Sequence, residues 1–195
     1  MLSENLLSIF INSGAVLKGH FILSSGVHSD TYIQCAKLFE NPKIGEELCT
    51  FLIRKAQDKI LTQNIDLVIS PAIGGIVVGY EVAKQLGVRF VFFERVEGAF
   101  MLRRGFEIKY SDKILIVEDV ITTGKSSMEI LKCIGNMKDN VVGELSMVKR
   151  NNNGLSIPFP VVSLLELEIP HYADDNLPDD LKQIPAVYHG SRFTM

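Results

Sequence analysis

From about residue 40 onward, hydrophobic positions alternate between helical spacing and short continuous runs, as expected of helices crossing over between parallel strands. Asn41 and Pro42 supply a cap and a first-turn residue, and Ile44, Leu48, Phe51, Leu52 and Ala56 then recur on one helical face. Asp66–Ser70 reads as a short buried strand. Gly75–Leu86 reads as a helix with Ile76, Tyr80, Ala83 and Leu86 inward, stopped by Gly87. Further strands are predicted over Arg89–Phe93, Lys113–Val117, Val141–Val148 and Val161–Leu167, with a helix over Ser126–Met137. The apolar run ending at Val117 suits a central strand covered on both faces. The pattern predicts an α/β fold with a mainly parallel central sheet flanked by helices.

Two segments stand outside this alternation. Gly14–Gln34 precedes the first crossover unit, and Glu94–Tyr110 is a charged stretch between strands, long enough to be a functional loop, a disordered one or a small hairpin. A tail from His171, with Asp174, Asp175, Asp179 and Asp180, reads as solvated loops and a short helix. The 195 residues suit a single domain.

A formal charge of −3 argues against a general nucleic-acid or membrane-surface binder, so any anionic substrate must be held by local groups. Cys35, Cys49 and Cys133 lack paired or C-x-x-C spacing and are expected to be reduced core thiols. The first ten residues carry Glu4 and no basic region, unlike a secretory signal, and no apolar run reaches the roughly 18 to 20 residues of a membrane helix. A cytoplasmic protein is the expectation.

The candidate chemistry lies in Ile114-Leu-Ile-Val-Glu-Asp-Val-Ile-Thr-Thr-Gly-Lys-Ser126: a buried strand, two acids, a hydroxyl-rich turn and then a helix. In an open parallel sheet, ligands bind at the carboxyl ends of the strands. Backbone amides from Ile121 to Ser126, the hydroxyls of Thr122, Thr123 and Ser126, and the helix dipole suit a phosphate, and Gly124 permits close approach. Glu118 and Asp119 suit neighbouring hydroxyls, because ionised carboxylates only accept hydrogen bonds. A sugar phosphate satisfies both needs. Gly124-Lys125-Ser126 also looks like the end of a nucleotide-binding P-loop, but Asp119 stands where that motif needs a glycine.

Val117–Ser126 resembles the phosphoribosyl-binding motif of the phosphoribosyltransferases. The resemblance implies the type I fold of that family, with Glu118 and Asp119 holding ribose hydroxyls. It also implies that Val120, Ile121, Thr122, Thr123, Gly124, Lys125 and Ser126 hold the 5'-phosphate of phosphoribosyl pyrophosphate. Separate segments are similar to orotate phosphoribosyltransferases. Gly19–Gln34 contains a Phe-x-Leu-x-Ser-Gly-x-x-Ser pattern that lies over the orotate ring in that family, which implies Ser25, Gly26 and Tyr32 at the base. Ser70–Ile76 resembles the pyrophosphate-binding loop and brings in Ile73 and Gly74, and Val148-Lys-Arg150 ends where the family places an orotate-binding arginine. An arginine fork suits the orotate carboxylate, so Arg150 joins the base site, and the resemblance implies Thr122 there as well. Ile184–Ala186 and Gly190–Arg192 resemble the family's tail in one of its branches, and residues 1–40 and 150–195 would form a hood over the base. His28 either faces the site or takes an exposed or packing role.

Two positions depart from the family pattern: Ser24 stands where many relatives have a basic residue, and Gly74 where many have a lysine. Glu94–Gly105 occupies the place of the flexible catalytic loop, and Arg95 matches it, but Val96 and Ala99 stand near expected lysines. Arg103 and Arg104 are the proposed substitutes. The resemblance implies catalysis centred on Asp119, Glu118 and Arg95, magnesium bound mainly through substrate with no protein metal site, and a homodimer with shared active sites. A phosphoribosyltransferase for another base and a non-catalytic regulator of the same fold remain alternatives.

Overall fold

The computed structural model describes residues 2–23, 26–60, 62–150 and 157–188. Helix α1 (Leu2–Asn12) leads into a hairpin of β1 (Val16–Ile22) and β2 (His28–Ile33), a 3-10 turn over Cys35–Phe39 and α2 (Pro42–Ala56). Then come β3 (Leu67–Pro71), α3 (Gly75–Leu86), β4 (Arg89–Val96), β5 (Ala99–Leu102), β6 (Ile114–Ile121) and α4 (Lys125–Ile134). The chain continues through β7 (Val141–Arg150), β8 (Val161–Leu167), α5 (Asp179–Lys182) and β9 (Val187–Tyr188). Six strands form one sheet in the order β5-β4-β3-β6-β7-β8, and every neighbouring pair is parallel except β4 with β5.

The sequence places the elements well and some of their faces less well. Asn41 caps α2, its side-chain oxygen accepting from the Lys43 amide at 3.1 Å, an interaction of about 1 kcal/mol. Leu48, Leu52 and Ala56 are buried as expected, but Phe51 is 40% exposed, and Cys49 and Ile53 take its place inside. The stripe turns this way because α2 packs against both α3 and the β7–β8 edge. On α3 the difference is larger. Tyr80 is 60% exposed, Ile76 and Leu86 are half-buried, and the inner face is Gly75, Val78, Gly79, Val82 and Ala83. Gly79 explains it: a Cβ there would lie 2.7 Å from the Phe90 ring and overlap the Ser70 hydroxyl. The helix lies on the sheet through its glycines, which a count of apolar side chains does not register.

Glu94–Tyr110 is a hairpin at its start. β4 runs three residues past Phe93 and turns at Glu97 and Gly98, both with positive φ, so that Val96 pairs with Ala99. The predicted helix over Ser126–Met137 ends at Ile134, where Gly135 (φ 57°) admits a 3-10 segment over Gly135–Asn140. Cys35 and Cys49 are buried free thiols, but Cys133 is exposed, because the buried stripe of α4 runs through Ser127, Ile130, Leu131 and Ile134.

A second sheet, in the order β2-β1-β9, joins the first hairpin to the C-terminal segment. His20 Nδ1 lies 2.8 Å from the Ile184 carbonyl oxygen and its Nε2 lies 2.6 Å from His28 Nδ1, while the His28 and Tyr172 backbones bond to each other. His28 is therefore spent on packing, fastening the tail to the hairpin. The tail itself carries a 3-10 turn at Asp174–Asn176 and the short α5, as expected. No helix among the described residues is long and apolar enough to cross a membrane.

Candidate active site

In the large sheet, connections leave β3 toward β4 on one side while β6 flanks it on the other, so the loops after β3 and β6 border a crevice at the carboxyl ends of the strands. The loop after β6 is the phosphate candidate. Thr122 and Thr123 follow the strand, Gly124 takes a left-handed conformation (φ 71°), and α4 begins at Lys125, leaving its first amides facing outward.

Glu118 and Asp119 point to opposite faces of the sheet, as neighbours on a strand must. Glu118 faces α4 and is 5% exposed, with the Ser126 hydroxyl donating to it. Burial, the Glu144 charge and the Asp119 charge, in that order, push its carboxyl well above the usual range. Asp119 faces α3 and is partly exposed. Burial raises its pKa too, opposed by the amides of Val120 and of Asp119 itself.

The loop after β3 carries Ile73, 71% exposed, and Gly74. A Cβ at Gly74 would lie 2.6 Å from Asp119 Cγ, so the bare glycine is what lets the carboxylate sit against this loop. This supplies a local reason for the absence of a lysine here, since any side chain would begin inside the space Asp119 occupies.

The small sheet closes over the same tip. Cys35 Sγ approaches the Asp119 carbonyl oxygen at 3.6 Å, and the Tyr32 hydroxyl is raised in pKa first by burial and then by the Asp119 charge. Arg150 ends β7 half-buried; burial lowers its pKa and the nearby Asp30 of β2 opposes that shift. Gly26 (φ 84°) forms the turn of the hairpin, its amide donating to the Leu23 carbonyl. Ser24, Ser25 and Gly190–Arg192 lie outside the described residues. Thr122, Asp119, Gly74, Tyr32 and Arg150 thus gather around one end of the sheet.

The arginines of the charged segment are less central. Arg95 belongs to β4, pairs with Glu129 of α4, donates to the Gly98 carbonyl at 2.7 Å and lies 4.0 Å from the centre of the Phe100 ring. It still feels Glu118, whose charge it favours. Arg103 and Arg104 are exposed and turn toward Glu94, at 3.8 and 2.6 Å. Sequence reasoning missed Glu144 and Ser127, which are fully buried beneath Glu118 and bonded to each other at 2.8 Å. The available signal was a lone acid in the apolar run Val141–Val148.

The model of the phosphoribosyl transferase domain matches residues 36–175. An orotate phosphoribosyltransferase of Thermoanaerobacter sp. (strain X514) is 44% identical over 192 residues, 98% of this chain and 99% of that protein. Among solved structures, an orotate phosphoribosyltransferase from Aeropyrum pernix aligns with a TM-score of 0.66 at 24% identity, over 84% of this chain and 94% of that one. The adenine phosphoribosyl transferase of Trypanosoma brucei aligns with a TM-score of 0.62 at 17% identity, over 97% and 88%. The shared fold therefore does not choose the base, whereas near-complete coverage at 44% identity does separate the families. The chain belongs to the orotate phosphoribosyltransferase family, within the type I phosphoribosyltransferase fold.

Proposed function

We propose that this protein transfers the 5-phosphoribosyl group of phosphoribosyl pyrophosphate to N1 of orotate, giving orotidine 5'-monophosphate and pyrophosphate for pyrimidine synthesis. The observation that carries the reading is the convergence of Asp119, the Thr122–Ser126 loop and Arg150 at one end of the sheet in a chain of this family. The loop and the start of α4 receive the 5'-phosphate, and Glu118 and Asp119 accept the ribose hydroxyls. Ile73 and Gly74 border the pyrophosphate. Arg150, with Thr122, Gly26, Ser25 and Tyr32, receives the base. N1 attacks the anomeric carbon as pyrophosphate leaves, and the Asp119 carboxylate stabilises positive charge developing on the ribose ring.

Among the described residues no three His, Cys, Asp or Glu side chains converge as a metal cage. In this reading magnesium, held mainly through substrate oxygens, would supply charge neutralisation for the leaving diphosphate. The free thiols support a reducing, cytoplasmic setting.

The test is loss of orotate absorbance with phosphoribosyl pyrophosphate and magnesium, beside adenine, guanine, hypoxanthine and uracil as rival bases. Arg150→Ala should raise the KM for orotate about tenfold or more and that for phosphoribosyl pyrophosphate less than about twofold, since the guanidinium meets only the base. Equal effects on both substrates would move Arg150 out of the base site.

The active form in this reading is a two-fold dimer, in which Arg103 and Arg104 act on the partner's site while Arg95 stays tied to Glu129 of its own chain. Asp119→Asn protein mixed with Arg103→Ala/Arg104→Ala protein should then recover roughly a quarter of wild-type activity, since about half the dimers are mixed and each holds one intact site. Subunit exchange without recovery would place those arginines in their own chain's site.

A further inference from the structure

β6 and β7 run parallel, with Glu118 opposite Ser146 and Glu144 opposite Ile116. The two glutamates therefore share one face of the sheet as diagonal neighbours, within reach of each other's long side chains. Both are buried, 5% and 0% exposed, beneath the start of α4. Ser127 Oγ of α4 donates to Glu144 Oε1 at 2.8 Å, and Ser126 donates to Glu118. Glu118 Oε1 and Glu144 Oε2 are left without a hydrogen-bond partner among the described residues.

Two buried carboxylates with an orphaned oxygen each are costly if both are ionised, and one proton held by the pair removes a charge. The surroundings do not neutralise the pair in another way. α4 offers the hydroxyls of Ser126 and Ser127, and β7 offers Ser146, already bonded to Ser163 of β8 at 2.6 Å. β4 offers Arg95, already paired with Glu129, which also faces Lys125, while Asp119 adds a further negative charge.

We propose that Glu144 is a positioning residue for the ribose site, sharing a single proton with Glu118 and taking that proton when ribose hydroxyls donate to Glu118. The step is balanced within the pair: the O–H bond on Glu118 breaks, one forms on Glu144, and no proton goes to solvent. Glu118 becomes the ionised acceptor while Glu144, neutral, keeps its Ser127 bond and holds the first turn of α4 beneath the phosphate loop. The direction of both shifts agrees, since burial raises both carboxyls and pushes Glu144 up to about 7. The ribose step rests on the assignment of Glu118 made above; the shared proton does not.

Sign follows from the raised values. The folded protein holds a proton that the unfolded chain gives up, so the pair's contribution to stability is present at acid pH and is lost as pH rises from the ordinary glutamate value of 4.5 through about 7. Glu144→Gln removes the second charge and offers Glu118 an amide donor. Its melting temperature relative to wild type should therefore rise between about pH 5 and pH 8, whereas loss of a simple hydrogen bond would shift it equally at both.

Infrared difference spectroscopy reads the proton directly. Wild-type protein should show the C=O stretch of a buried neutral acid at about pH 7, shifted by phosphoribosyl pyrophosphate, and Glu144→Gln should lack that band. The ratio of KM for phosphoribosyl pyrophosphate at about pH 9 to that at about pH 7 should be roughly tenfold larger in wild type than in the variant, substrate ionisation being common to both. An absent acid band in wild type overturns the proposal, and that spectrum decides even if the variant does not fold. A band that the substrate leaves unmoved, in protein that turns over orotate, overturns it as well. Absence of orotate turnover counts instead against the reading of the site.

Discussion

Asp119→Asn should lower turnover about a hundredfold or more with the fold intact, the scale of a lost transition-state contact of roughly 2.7 to 4 kcal/mol. The amide matches the carboxyl in size, so it still fits against Gly74 and beside Tyr32. What it lacks is charge. The carboxylate lies against backbone amides from Val120 and from itself, which favour its ionised form against the cost of burial. In the proposed reaction that charge would stabilise the ribose cation only as it develops, so kcat should fall with little change in KM. Because burial holds the Asp119 carboxyl above its ordinary range, wild-type activity should also fall as pH drops toward that raised value, where the group turns neutral. The asparagine variant should lose this acid limb. Steady-state rates across pH, with melting curves to confirm folding, give the answer; turnover within about twofold of wild type would remove Asp119 from the chemistry.

The elements were legible where one periodicity dominated. β8 and α3 fall on their predicted bounds, because each is a clean apolar pattern closed by a turn or a left-handed glycine, such as Gly87 (φ 70°). Faces were less legible, since they depend on neighbours far along the chain. Gly79 brings α3 onto Ser70 and Phe90 and turns Tyr80 outward, although Tyr80 carries the larger apolar surface. Cys133 is a similar case, counted as a core thiol from the cysteine spacing and left outside by the rotation of α4.

At the site, the run Glu118–Ser126 was legible because its chemistry is local: strand, acids, turn and helix follow one another within a few residues. Glu144 was not, because its meaning lies across a strand pair, opposite Ile116 and diagonal to Glu118. The three arginines illustrate the reverse. Arg95 looked like a mobile-loop cation from its position, yet pairing across β4 and β5 fixes its backbone and Glu129 fixes its side chain. Only Arg103 and Arg104, beyond the end of β5, keep the exposure that the sequence position suggested.

Gly74→Ala should lower turnover about tenfold to a hundredfold while barely changing stability, an effect out of proportion to one methyl group. A Cβ at this position would lie 2.6 Å from Asp119 Cγ and 2.7 Å from its Oδ1, so one of the two must move. The carboxyl end of an aspartate turns more readily than a short loop joined to β3 and α3, and for that reason the fold is spared. Turning it gives up the backbone amide contacts of Asp119 and, in the proposed site, would displace the charge from the ribose. A shift of about 1 Å in a catalytic group costs on the order of a hundredfold, which sets the upper end of the range. The double variant separates position from charge. If alanine acts by displacing the Asp119 carboxylate, adding it to Asp119→Asn removes little that is not already lost, and the double variant should stay within about twofold of Asp119→Asn alone. If instead the loop carrying Ile73 and Gly74 yields, the carboxylate keeps its place, kcat survives, and the KM for phosphoribosyl pyrophosphate rises in both backgrounds by the same factor. That additive result would assign Gly74 to the pyrophosphate loop alone, and would leave Asp119 held by its own backbone and not by the space opposite.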